Sequence, residues 1–305
     1  MRALAVALLA ALALGAAGCG FGAGSSSSGG ARLEVTRDYG AKHGQRATLA
    51  HVHDSDTVMR FLQATHDVET RYGGGFVQSV DGLAGNRARR FDWFFYVNGI
   101  ESEVGAADFG LSEGDRVQWD LHSWRATMRV PGIVGAFPEP FSHGYRGKRL
   151  PVRVECAEPD GPACKEATKR LADSGAVASS APLGVAGEES IARVVVSTWD
   201  AMRRLQAASP LARGPQESGV FARFAGNSLQ LLDSNGRVAR TAPPGTGLVA
   251  ARVPRERDVV WFVTGVDEAG VRRAAAALDE DTLENAFALA ATPSGPVKLP
   301  VADEK

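Results

Sequence analysis

The sequence lacks most of what an enzyme or a membrane-spanning protein needs. No Gly-rich phosphate loop with a lysine occurs, nor any G-x-S-x-G nucleophile turn. Histidine stops at His143, so the second half has no imidazole with which to activate a nucleophile. The one long uncharged apolar run, Ala3–Ala17, falls short of the roughly 20 residues that a helix needs to cross a bilayer. With 34 basic and 35 acidic residues, net charge −1, there is no basic excess of the kind that nucleic-acid binding leaves in a composition. These absences predict a binding protein: not an enzyme, with no resident cofactor, no metal and no nucleic-acid partner.

What is present at the N-terminus reads as export. Arg2, the apolar run and Ala16-Ala17-Gly18-Cys19 resemble the lipobox of bacterial lipoproteins, in which the cysteine is acylated and becomes the first mature residue. The expected organisation is a signal peptide over 1–18, then a lipidated Cys19 with a Gly/Ser tether to residue 30 (GFGAGSSSSGG). Such a chain is exported and lipid-anchored on the extracytoplasmic face of the cell membrane. The other two cysteines, Cys156 and Cys164, flank a turn-rich AEPDGPA, and in an exported protein this pattern predicts a disulfide.

Residues 31–130 form the first expected domain. Alternation marks a strand at Arg32–Asp38 and a shorter one at Ala47–Val52. Thr57–Val68 has helical spacing, with Asp54, Ser55 or Asp56 as the cap. The most informative stretch is Trp93–Trp124. Trp93, Phe95 and Val97 point to one face of a strand, and Phe94 and Tyr96 to the other. Asn98-Gly99 turns the chain. Val117–Trp124 alternates again, with His122 and Trp124 on the second face, and Ala126–Ile133 reads as a last strand. His51-x-His53-Asp54-x-Asp56 has the residue types of a metal site, but its aspartates are equally explained as helix caps.

The ordered string Asp56-Thr57-Val58, Trp93-x-Phe95-Tyr96-Val97-Asn98-Gly99, Val104-Gly105-Ala106-Ala107-Asp108, Glu113-Gly114-Asp115-x-Val117-x-Trp119 and Ser123-Trp124 resembles the C-terminal domain of the transcobalamin and intrinsic-factor proteins. It also resembles a bacterial secreted domain family of unknown function. The resemblance implies a small β-grasp-like α+β domain with a mostly antiparallel sheet, and a corrinoid such as cobalamin, or another planar small molecule, as ligand. The face carrying Phe94, Tyr96, His122 and Trp124 is the expected contact surface, with cover by the chain from Pro131 to Tyr145 as the alternative.

A Pro/Gly-rich linker is expected over 131–150, with Phe137, Phe141 and Tyr145 as docking anchors. An α/β layered domain follows over 151–292, then a C-terminal tail over 293–305. Its expected strands are Val152–Cys156, Arg193–Ser197, Ser228–Leu232, Leu248–Val253 and Val259–Thr264. Its expected helices are Ala163–Ser174, Thr198–Ala207, Pro215–Phe224, Gly265–Leu278 capped by Asp267, and Asp279–Ala290. The functional expectation is an anchored ligand-binding module, an accessory to cobalamin or other micronutrient uptake that serves a transporter. The alternative is a protein–protein interaction module of the cell envelope.

Overall fold

The computed structural model describes residues 29–185, 190–255 and 258–302. The expected signal peptide, Cys19 and nearly all of the tether lie outside the described residues. The first unit opens with strands β1 (Ala31–Arg37) and β2 (Lys42–Leu49), paired antiparallel. Helix α1 (Val58–Thr65) buries Val58, Met59, Phe61 and Leu62, the stripe its spacing predicts. Its cap is Thr57, whose hydroxyl accepts from the Arg60 N–H, not an earlier residue. Asp56 instead spends its carboxylate on the His53 N–H and its carbonyl on the Leu111 N–H.

A small antiparallel meander follows, made of β3 (Val68–Arg71), β4 (Phe76–Val80) and β5 (Leu83–Ala84). The chain then enters β6 (Phe91–Val97), β7 (Ile100–Glu101) and β8 (Arg116–Ser123). The main sheet runs β2-β1-β8-β6-β7, and every neighbour is antiparallel except β1 and β8. This is an α+β unit with a mostly antiparallel sheet. Asn98 and Gly99 have φ of 53° and 76°, the left-handed pair a two-residue hairpin turn requires, and a Cβ on Gly99 would meet the Ile133 carbonyl at 2.7 Å.

The strand expected at Ala126–Ile133 does not form; a single bridge joins Ile100 to Gly132. Pro131 has no N–H to give a ladder, and the Val130 N–H goes to the buried Glu101 carboxylate at 2.9 Å. Residues 131–150 are packed rather than extended. Phe137 and Phe141 lie against Trp261 with centroids 6.0 and 4.9 Å apart, and Tyr145 meets Phe109 edge-on at 5.6 Å.

The second unit begins with β9 (Val152–Cys156), α2 (Pro162–Asp173), β10 (Ala178–Pro182) and β11 (Ala192–Thr198). A disulfide joins Cys156 at the end of β9 to Cys164 in α2. Short helices α3 (Trp199–Met202) and α4 (Pro215–Ser218) replace the two longer helices expected there. Gly219, at φ 74°, ends α4 and releases the chain into a second meander of β12 (Ala222–Ala225), β13 (Ser228–Leu232) and β14 (Val238–Thr241).

Strands β15 (Gly247–Arg255) and β16 (Asp258–Gly265) then lead to α5 (Glu268–Ala276), capped by Asp267 as its position predicts. The helix expected over Asp279–Ala290 is a single turn, α6 (Glu280–Leu283), followed by β17 (Ala288–Thr292) and β18 (Gly295–Leu299). Asn285 at φ 56° breaks the helix, and the fully buried β17 pairs with β15. The sheet order is β10-β9-β11-β16-β15-β17-β18, with β10, β9, β11 and β16 mutually parallel and the rest antiparallel.

One hydrophobic cluster runs through both units, from Leu33, Phe61 and Trp119 to Val154, Trp261 and Leu289. The contact is close at the backbone. Gly40, at φ 77°, sits where a Cβ would lie 1.9 Å from the Asn285 carbonyl, and Asn285 Nδ2 donates to Glu34 at 2.7 Å. Arg116 pairs with Glu280 at 2.8 Å across the same seam.

Candidate functional site

The alternation of β6 and β8 gives the sheet two different faces. Phe95 pairs with Trp119 in register and stacks on it at 4.9 Å, so Trp93, Phe95, Val97, Val117, Trp119 and Leu121 all pack into the core that holds α1. The opposite face carries Phe94, Tyr96, Asp120 and His122, the residues expected to meet a ligand together with Trp124. The structure divides that set.

His122 and Tyr96 are inside the molecule. The His122 imidazole is sandwiched between Phe94 at 4.4 Å and Tyr39 at 4.5 Å, with Phe287 edge-on at 5.4 Å. Its Nδ1 lies 2.8 Å from Asp120 Oδ1, and only 3% of the residue is exposed. Tyr96 is wholly buried against Phe287 at 5.4 Å, and burial pushes its phenol well above the usual range. The rings over them are Tyr39 of the β1–β2 hairpin with Phe221 and Phe287 of the second unit, and Ile133, from the Pro131–Tyr145 segment, joins the same buried cluster. A face that reads as half-exposed within its own domain is apolar because a second unit sits on it.

Phe94 and Trp124 remain at the surface, partly exposed. They line a groove of about 580 Å³ with Tyr72, Phe76 and Met128, flanked by Arg71 and Arg87. Tyr72 is 80% exposed and Met128 68%, and the Tyr72 and Phe76 rings meet edge-on at 6.3 Å. Sequence reading missed Tyr72 and Phe76, although Gly73-Gly74-Gly75 between them was the available signal. A polyglycine turn whose Gly73 and Gly74 adopt positive φ brings the two flanking rings to one side. Trp124 is held by its own N–H to the Arg90 carbonyl at 2.8 Å, with the Arg90 guanidinium 5.7 Å from its ring centroid. Asp92, also lining the groove, is raised above the usual carboxylate range by burial.

Further clefts adjoin the junction. One of about 480 Å³ lies beyond Trp124 and Met128 and is lined by Arg90, Arg125, Arg129 and Arg252. Another, of about 880 Å³, opens beside Asp115, Glu139 and His143. The acids there are already engaged. Asp115 accepts from the Ser112 N–H and from Asn98 Nδ2, each at 2.8 Å, and Glu139 accepts from the His143 N–H at 2.9 Å. Burial raises the Asp115 carboxyl to about 6, with the Glu139 charge adding to it. Among the described residues no group of three His, Cys, Asp or Glu side chains is placed to hold a metal ion, His51 to Asp56 included.

Comparison with known proteins gives one family match, within the first unit. Residues 55–123 match the family described as Domain of unknown function (DUF4430). A solved structure from Ruminococcus gnavus, for which metal binding has been suggested, aligns at 17% identity and a TM-score of 0.25, over 31% of this chain and 96% of the other. Haptocorrin in complex with Cbi aligns at 18% identity and a TM-score of 0.24, over 30% of this chain and 24% of haptocorrin. No curated protein matches the chain.

Proposed function

We propose that this chain is an exported ligand-binding protein that holds a planar small molecule in the aromatic groove of its first unit, anchored through Cys19 to the extracytoplasmic face of the cell membrane. The observation that carries this reading is the convergence of Tyr72, Phe76, Phe94 and Trp124 on one concave surface of about 580 Å³, within the size range of small-molecule sites. Flat rings at the walls and arginines at the rim suit stacking with charge-assisted orientation. The function is binding, as an accessory to micronutrient uptake that hands its ligand to a transporter. A corrinoid is the first ligand to try, on the strength of the motif string from Asp56 to Trp124.

The test is a titration of the whole chain with cobalamin, followed by absorbance and tryptophan fluorescence, beside Trp124→Ala and Phe94→Ala. Saturation below about 100 μM, corresponding to roughly −5 kcal/mol, and its loss in both variants support the corrinoid reading. No saturation in that range overturns it.

A second reading has its own support. Tyr72 and Met128 leave large apolar side chains in solvent along the same groove, as a protein docking surface would. Capture of a partner that Tyr72→Ala abolishes, without small-molecule binding, favours an envelope interaction module.

A further inference from the structure

Trp124 and Met128 form a shared wall. On one side is the aromatic groove, and on the other the cleft between residues 124–131 of the first unit and 216–219 and 252–253 of the second. Four arginines line that cleft against one carboxylate, Glu217, in a chain whose net charge is −1. Such a local excess of positive charge creates a positive potential that draws anions into the cleft.

The four arginines are not equivalent. Arg129 is spent on Glu101 at 3.1 Å and Glu103 at 3.3 Å. Arg90, Arg125 and Arg252 have no carboxylate within ion-pair distance among the described residues. Each is nevertheless held in place. Arg125 Nε donates to the Arg89 carbonyl at 3.1 Å, Arg252 donates to the Ala207 carbonyl at 2.6 Å, and Arg90 lies over Trp124. Backbone carbonyls orient Arg125 and Arg252, and the Trp124 ring orients Arg90, without neutralising them, so their charge is available to a bidentate oxyanion.

We propose that this arginine cleft binds the anionic group, carboxylate or phosphate, of the same small molecule whose ring system stacks in the adjoining aromatic groove. The inference rests on the groove reading and narrows its ligand class to a planar molecule that carries an anionic group. Burial, with Arg213 nearby, holds the Arg252 guanidinium below its usual range, and an anion in contact would relieve that penalty. The second unit thereby acquires a part in binding, because Arg252 on β15 and Arg90 before β6 reach the cleft from different units.

Two fluorescent probes separate the two parts of the site: 8-anilinonaphthalene-1-sulfonate, an aromatic with one sulfonate, and N-phenyl-1-naphthylamine, the same rings without the charge. The whole chain should bind the sulfonate about tenfold more tightly, the worth of one charge-assisted contact. The exposed pair Arg90→Gln, Arg125→Gln should erase that preference and bring the two probes to equal affinity, with near-UV circular dichroism confirming the fold. Equal affinity for the two probes, or a preference that survives in the double variant and in Arg252→Gln, overturns the proposal.

If neither probe binds, the groove reading falls, and inorganic phosphate then tests the arginines alone through the heat-unfolding midpoint. Protection that the double variant loses retains the anion site; no protection overturns it. Arginine-dependent binding to vesicles of anionic over zwitterionic lipid, without probe preference, also overturns the small-molecule form.

Discussion

Asp120 and His122, two residues apart on β8, meet through a 2.8 Å contact between Oδ1 and Nδ1 inside the junction of the two units. The same buried carboxylate accepts from the Thr36 hydroxyl at 2.6 Å and from the N–H groups of Tyr39 at 3.0 Å and Gly40 at 2.9 Å. It therefore orders the β1–β2 turn that carries Tyr39 onto the imidazole. The histidine expected to face a ligand serves as a joint.

Asp120→Ala is expected to lower stability by about 3–5 kcal/mol, because it strands several buried donors at once. Urea unfolding measures the loss. A change under 1 kcal/mol would mean that the donors find water instead.

Tyr96→Ala and Trp124→Ala should behave oppositely. Tyr96 is wholly buried, so its truncation should cost about 3–5 kcal/mol of stability, as large core aromatics do. Trp124 lines the groove and should cost little stability while weakening the probes and any stacking ligand about tenfold. Paired urea and fluorescence titrations check both halves of the contrast.

The pH dependence has a definite sign at Asp115. Its carboxyl is raised from 3.8 to about 6 by burial, so between those values the folded chain holds more protons than the unfolded one. The contribution is fully favourable below 3.8 and is lost as pH rises through about 6, a span worth about 3 kcal/mol. Unfolding free energies from pH 4 to 7 should show this decline relative to Asp115→Asn, which has no titrating group there. Parallel profiles for the two proteins would refute it.

Removing the Cys156–Cys164 bridge, a separation of 8 residues, should cost about 2–3 kcal/mol in the chain-entropy account. Comparing urea midpoints of the protein with those of a Cys156→Ala, Cys164→Ala variant gives the value.

Cys19→Ser should shift the protein from the detergent phase to the aqueous phase on phase separation, and should remove the mass of the acyl groups. An unchanged distribution would leave export without lipid anchoring.

Much of this was legible locally. Alternation in Trp93–Asn98 and Val117–Trp124, the Asn98-Gly99 turn, the Asp267 cap and the Cys156–Cys164 spacing each depend on neighbours a few residues away, and each appears, the two strands ending one residue earlier than read. The failures share a cause. Helical spacing in Asp279–Ala290 was overridden because the Ala288–Ala291 run completes a buried sheet beside β15, and Ala126–Ile133 lost its strand to a carboxylate partner at Glu101. Both outcomes turn on partners far away in sequence.

The same division runs through the site. Composition and period determined that Phe94, Tyr96, His122 and Trp124 would share one face of the sheet. Which of them meets solvent was decided by Phe287, about 165 residues beyond His122, closing over two of them and leaving two. A period-2 pattern reports that a face is apolar. Only the packing of distant elements, which no local spacing encodes, decides whether that face is covered by the protein itself or left for a ligand.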